Sequence, residues 1–331
     1  DAALLNGVRP DTAHSLAKGL PEYLFFAYQL TFAIITPALI TGAFAERMKF
    51  TGLLLFMALW HVLVYAPVAH WIWGGGWLAR LGVMDFAGGL VVHATAGVSA
   101  LVLALILGPR DGFPRDLHPP HNPGMTMIGA GMLWVGWYGF NGGSALAADG
   151  SAAMALLTTH VSASTAGLIW ALLERLRFGR ASMVGVVTGV VAGLATITPA
   201  SGFVGLAGAL ALGAAGSLVC FYAVEFVKHR LKIDDSLDVF AVHGVGGILG
   251  TLLVAVFAAP GLGGAGFLVL HSIGAQAGAQ AIGFAAVALW SAAATVALAY
   301  LTRAVIGLRA RDDEIEEGLD LTYHGERAAG A

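Results

Sequence analysis

Two stretches set a carboxylate and an imidazole where both are costly. Asp85-Phe-Ala-Gly-Gly-Leu-Val-Val-His93 and Asp238-Val-Phe-Ala-Val-His243-Gly-Val-Gly-Gly each open an apolar run with Asp and carry His inside it. At about 1.5 Å of rise per residue, His93 sits about 12 Å in from Asp85 and His243 about 8 Å in from Asp238. An ionisable group inside a bilayer costs about 2.5–3.5 kcal/mol for the charged types and usually faces a cavity. A lone intramembrane His is more often a satisfied interhelical hydrogen-bonder. Two in matched contexts favour conduction, because imidazole relays protons near neutral pH. Asp85 and Asp238 read first as helix N-caps, a position that prefers Asp. A metal centre would need three or four converging ligands. His93, His243 and His160 lie on separate runs with no His-x-x-x-His pair, so an intramembrane metalloenzyme is disfavoured. We expect no metal, no cofactor and no enzymatic activity. His160 reads as a local hydrogen-bonder.

The elements that must hold these groups are membrane helices. Hydrophobic residues make up 58% of the 331-residue chain and charged residues 11%, against about 25% charged in soluble domains. Mean hydropathy is +0.79. Glycine supplies 46 residues, which suits helices that must approach closely in lipid. A net charge of −3 implies no nucleic-acid partner, and the single Cys220 excludes a disulfide framework and a Cys-based zinc site. The first twenty residues show no signal-peptide pattern. Crossing about 30 Å of hydrocarbon takes about 17–25 apolar residues. Nine runs qualify, near Tyr23–Phe44, Thr51–Trp73, Gly88–Leu107, Met125–Phe140, Ala152–Leu173, Met183–Thr198, Val204–Val227, Val239–Ala258 and Ala279–Val305. Turn chemistry separates them at 108–112, 119–123 and 198–202.

Alternate connectors carry the basic residues: Arg47 and Lys49; Arg110 and Arg115; Arg175, Arg177 and Arg180; Lys228, Arg230 and Lys232; then Arg309 and Arg311. The intervening ones hold only Arg80. The positive-inside rule therefore places the first residues outside and the C-terminus in the cytoplasm of a multi-pass protein. In that orientation Asp85 is on the outer side, where its charge would also concentrate cations. His93 and His243 approach mid-membrane from opposite faces. Such a pair suggests an inverted-topology repeat, whose interface is where transport sites form.

At this point the residues resemble a known family. Gln29-Leu-Thr-Phe32-Ala-Ile-Ile-Thr36-Pro-Ala-Leu-Ile-Thr-Gly42-Ala-Phe-Ala-Glu46-Arg47 is similar to the third helix of the ammonium transporter (Amt/MEP/Rh) family. So, in order, are Trp73-Gly-Gly-Gly76, the Asp85 and Asp238 stretches, and Gly136-Trp-Tyr-Gly-Phe140-Asn-Gly-Gly-Ser144. The resemblance implies an all-α inverted-repeat bundle of eleven helices, assembled as a homotrimer with a pore in each subunit. It begins in the loop before the third helix, and so implies that two N-terminal helices of that fold are missing. A truncated product is the favoured reading over a natural nine-helix pore. The division expected is an exoplasmic segment at 1–21, a transport domain at 22–308 and a cytoplasmic tail at 309–331, in the cell (inner) membrane.

Carried over by resemblance, Trp73 and Ser144 form an outer ammonium recruitment site with Phe32 on its inner side, supported from behind by Asp85. Tyr28 stands where the family often has Phe. Phe32 and Phe140 stack as a gate, and His93 and His243 are twin histidines lining an apolar lumen. Asp238 is left as a structural cap. The tail, with Gly318-Leu-Asp320 and His324-Gly-Glu326, is similar to the family segment that influences docking of PII-type regulators. Without the resemblance, Trp73 reads as interfacial belt, Phe32 and Phe140 as packing, and Ser144 as an ordinary hydroxyl. The partners expected are ammonium or ammonia and the lipid bilayer. The alternatives are a gas channel or an ammonium sensor of the same fold that moves no net charge.

Overall fold

Hydrocarbon offers no partner to a free backbone N–H or C=O, so apolar runs of this length must close their hydrogen bonds within helices. The computed structural model describes residues 3–115 and 120–326. Residues 1–2 of the N-terminal segment, Pro119 of the 119–123 connector and residues 327–331 of the tail lie outside the described residues. Each of the nine expected runs is helical. Among the described residues, seven units are long and apolar enough to cross a membrane: Glu22–Ala43, Phe50–Leu81, Gly89–Leu107, Gly150–Phe178, Leu206–Arg230, Phe240–Phe257 and Ile273–Ile306. Pro123–Gly143 has the length but is diluted by Gly, Trp, Tyr and Asn, and Met183–Ile197 has only 15 residues. The second unit breaks at Trp73–Gly76 before the short helix Trp77–Leu81.

A small antiparallel hairpin, Ala13–His14 with Ala17–Pro21, precedes the first helix. Two short helices, Asp312–Glu317 and Leu319–His324, follow the last. We call these the hairpin end and the tail end of the bundle.

The histidine-bearing helices are related by an eight-residue register. Asp85 accepts from the amides of Gly88, Gly89, Leu90 and Val91 at 2.6–3.0 Å. All its acceptor capacity thus goes to the first turn of the His93 helix. The equivalent residue before His243 is Asp235, whose Oδ2 accepts from Phe240 N at 2.7 Å. The cap expected of Asp238 is therefore supplied by Asp235. Asp238 instead pairs with Lys228 at 2.8 Å, because a nearby cation outbids the amides for its carboxylate. Three residues past each capping Asp the backbone turns left-handed, at Gly88 (φ 116°) and Asp238 (φ 58°). Both helices then open with a π-helical turn that contains the histidine, Gly89–Ala94 and Phe240–Gly244.

These helices cross on glycine. A Cβ on Gly97 would collide with Gly244 Cα, and one on Gly247 would lie 2.6 Å from His93 Cβ. Backbones meet because nothing projects between them.

The tail end is held by ions. Arg47 is fully buried; it donates to Ser236 Oγ at 2.7 Å and to the carbonyls of Ala43 and Asp234. Arg110 grips Asp234 with two parallel bonds of 3.0 and 2.9 Å. Burial alone would raise Asp234, but the Arg110 fork outweighs it and holds the carboxyl below its usual range. The chain after the last helix is stitched to the same corner through Lys49 N to Leu308 O (2.9 Å) and Ala310 N to Arg47 O (3.0 Å).

Candidate functional site

The Glu22–Ala43 helix brings Tyr28 and Phe32 to one face, a turn apart. Phe32 is 1% exposed and is surrounded by aromatic rings. Its centroid lies 5.0 Å from Tyr28 and 5.3 Å from Trp73, both edge-on, and 4.5 Å from Phe140. Edge-to-face contacts match ring quadrupoles, so the cluster is attractive as well as dense. Trp73 is anchored because its Nε1 donates to the backbone carbonyl of Asp85 at 2.8 Å. Asp85 thus stands behind Trp73 through its backbone while its side chain caps the His93 helix. Ser144 closes the far side, 3.0 Å from the Tyr28 hydroxyl.

A cavity of about 910 Å³ runs from Tyr28, Thr31 and Phe140 past Ile35, Leu39 and Val92 to His93 and His243. Its walls are mostly apolar; the lining side chains with polar atoms are Tyr28, Thr31, Trp137, His93 and His243. His93 Nδ1 and His243 Nδ1 lie 3.2 Å apart, with ring planes 21° from parallel. A contact of that length between two ring nitrogens holds one proton. One imidazole is therefore the Nδ1–H donor with a bare Nε2, and the other keeps Nε2–H. The pair thus has one accepting end and one donating end. His93 Nε2 is buried with no protein partner.

Trp137 was not among the expected site residues, yet its ring stacks on His93 at 5.5 Å and 18°. It lies three residues before Phe140, one helical turn away, which is the only sequence signal that could have marked it. His160 is elsewhere, on the exposed side of the Gly150–Phe178 helix, where its Nδ1 meets the Tyr138 hydroxyl at 2.7 Å. The structure therefore brings Tyr28, Phe32, Trp73, Phe140, Ser144, His93 and His243 into one column and leaves His160 and Asp238 out of it.

An all-helical bundle with two imidazoles in contact inside an apolar cavity, under a plug of phenyl rings, defines a multi-pass membrane transport protein. A sequence profile described as Ammonium Transporter Family matches residues 6–329. The ammonium transporter of Aquifex aeolicus is 48% identical over 324 residues, spanning 98% of this chain and 74% of that protein. Ammonium transporter Amt1 of Archaeoglobus fulgidus is 43% identical over 326 residues, spanning 98% and 80%. Among solved structures, one described as Sensor Amt Protein superposes with a TM-score of 0.87 at 32% identity, over 94% of this chain and 79% of that one. Mep2 of Saccharomyces cerevisiae superposes at 0.82 with 37% identity, over 90% and 69%. The chain belongs to the ammonium transporter family.

Proposed function

We propose that the chain moves ammonium across the cell (inner) membrane as ammonia, with deprotonation just past the aromatic plug. Tyr28, Trp73, Phe32 and Ser144 recruit the cation at the hairpin end, which faces outward in this reading. Ring faces attract a cation by about 0.5–2 kcal/mol, and a hydroxyl accepts an N–H. Asp85 positions Trp73. Carrying the cation further into apolar surroundings is prohibitive without a counter-charge, so past the Phe32–Phe140 gate it passes its proton to the bare imidazole nitrogen of the His93–His243 pair. Ammonia, which both donates and accepts, then passes His93 and His243 by trading hydrogen bonds with their accepting and donating ends. The shared Nδ1 proton gives the pair a route to relay charge.

The observation that carries this reading is the 3.2 Å imidazole contact on the wall of an apolar cavity. The remaining parts of the proposal are a homotrimer, a cytoplasmic tail from residue 309, a transport domain over 22–308, an exoplasmic segment before it, and a PII-type regulator at the tail end. Purified protein in liposomes on a solid-supported membrane should give a saturable ammonium-evoked current that potassium does not. His93→Leu and His243→Leu should each abolish the current. Unchanged current in both variants would overturn the mechanism. The likeness to a Sensor Amt Protein favours a second reading, ammonium sensing without net charge transfer. In that case ammonium binds saturably and no current flows.

A further inference from the structure

Tyr28 puts a hydroxyl into a cluster whose other rings present no oxygen. That oxygen lies 2.6 Å from the Phe140 carbonyl and 3.0 Å from Ser144 Oγ, while Ser144 Oγ lies 2.8 Å from the same carbonyl. Three oxygens thus form a triangle, with the Gly139 carbonyl a longer 3.3 Å from the Tyr28 hydroxyl as a second acceptor for its proton. A carbonyl brings no proton and each hydroxyl brings one, so one of the three edges must go without. The two shorter edges both end on the Phe140 carbonyl. When both hydroxyls donate there, the Tyr28 and Ser144 oxygens face each other across 3.0 Å with no hydrogen between them.

Such a pair holds lone pairs and has no O–H to give. It is matched to a species that only donates. Ammonium has four N–H bonds and no lone pair, so it leaves nothing unmatched there, whereas ammonia and water can donate to the pair but leave a lone pair without a donor. The geometry is rigid on every side. Phe32 packs edge-on to the Tyr28 ring, and Gly143 leaves space for that ring, since a Cβ there would lie 2.8 Å from Tyr28 Cε2.

We propose that the Tyr28 and Ser144 hydroxyl oxygens form a two-oxygen acceptor for ammonium, and that Tyr28 sets the preference for ammonium over its alkylated forms. The proposal rests on the recruitment reading above. Two fixed oxygens ask the cation to aim two N–H bonds at one side. Each methyl group removes an N–H and adds bulk that must point away from the pair, so methylammonium satisfies the site in fewer orientations. A phenylalanine at position 28 would leave Ser144 as the single oxygen, and a single oxygen is met almost as well by methylammonium.

The test compares apparent affinities for ammonium chloride and methylammonium chloride, taken from saturable responses of the reconstituted chain. Tyr28→Phe should weaken ammonium about tenfold, the worth of one hydrogen bond to a charged group, and methylammonium by well under half as much on a logarithmic scale. Gly143→Ala, which pushes the Tyr28 ring out of its seat, should shift the ratio in the same direction. Equal weakening of both cations in Tyr28→Phe, or no weakening of either, would overturn the two-oxygen acceptor alone. Absence of any saturable ammonium response in the unaltered chain would overturn the recruitment reading and this proposal with it.

Discussion

Three carboxylates crowd the segment before the His243 helix, and only two of them have cations. Asp234 is held by Arg110 and Asp238 by Lys228. Asp235 is fully buried and, among the described residues, keeps one oxygen without a partner and has no cation paired with it. Burial, with the Asp238 charge beside it, pushes its carboxyl up to about 6. A folded-state value raised above the unfolded one means the fold binds this proton more tightly. The associated stability is complete below about pH 4 and is lost as pH rises through about 6. The loss amounts to at most about 3 kcal/mol. Asp234, held low, works in the opposite sense, with its contribution lost on acidification. Asp235→Asn should therefore flatten the decline in melting temperature between about pH 4 and pH 7 in detergent; an unaltered pH profile would contradict the assignment. At this scale the sequence was legible for one half of the site only. The Asp85–His93 spacing stood alone in its stretch, so the cap was evident. Asp235 was hidden between two acids, and only Arg110 and Lys228, brought from other segments, decide which of the three is left to cap.

The helix crossing at Gly97 and Gly244 sets how near the two imidazoles can come. Gly97→Val puts a branched side chain where only backbone fits, an overpacking cost of about 3 kcal/mol. That should lower the detergent melting temperature by about 4 °C and weaken the His93–His243 contact. Gly131→Ala is the matched control, because no atom lies near that position; a comparable drop there would mean that crossing geometry is not the cause. All nine helices were legible as apolar runs, since hydropathy depends on composition and not on fold. The two π-helical turns that open the histidine-bearing helices were not. Their extra residue is stabilised by tertiary events, among them the Asp85 and Asp235 caps and the bond from Thr95 Oγ1 back to Leu90 O at 2.8 Å. Nothing in local propensity announces them. π-turns cluster at functional sites; of the four among the described residues, Gly89–Ala94 and Phe240–Gly244 hold the histidine pair, whereas His61–Tyr65 and Phe226–Arg230 do not.

On the scale of the whole molecule, the tail end is knotted around Arg47. Arg47→Ala would leave Asp234 buried with only Arg110 to answer it and would free the Ser236 hydroxyl, at a cost of about 3–5 kcal/mol. Heating in detergent should show a fall well beyond that of a surface Arg175→Ala variant, and equal melting curves would refute the role. The partners of this corner are far apart along the chain: Arg47 and Ser236 are separated by 189 residues, and Lys49 and Ile306 by 257. His93 and His243 are separated by 150. Contacts of such span carry their loop-closure entropy before they return any energy. A ribosome that has delivered the His93 helix has made half of a hydrogen bond and must thread five more helices into the bilayer before the other half exists. The His93–His243 contact is thus among the last parts of the molecule to form. A chain that inserts but does not finish folding therefore lacks the imidazole pair, and each histidine stays alone until its helix finds the other.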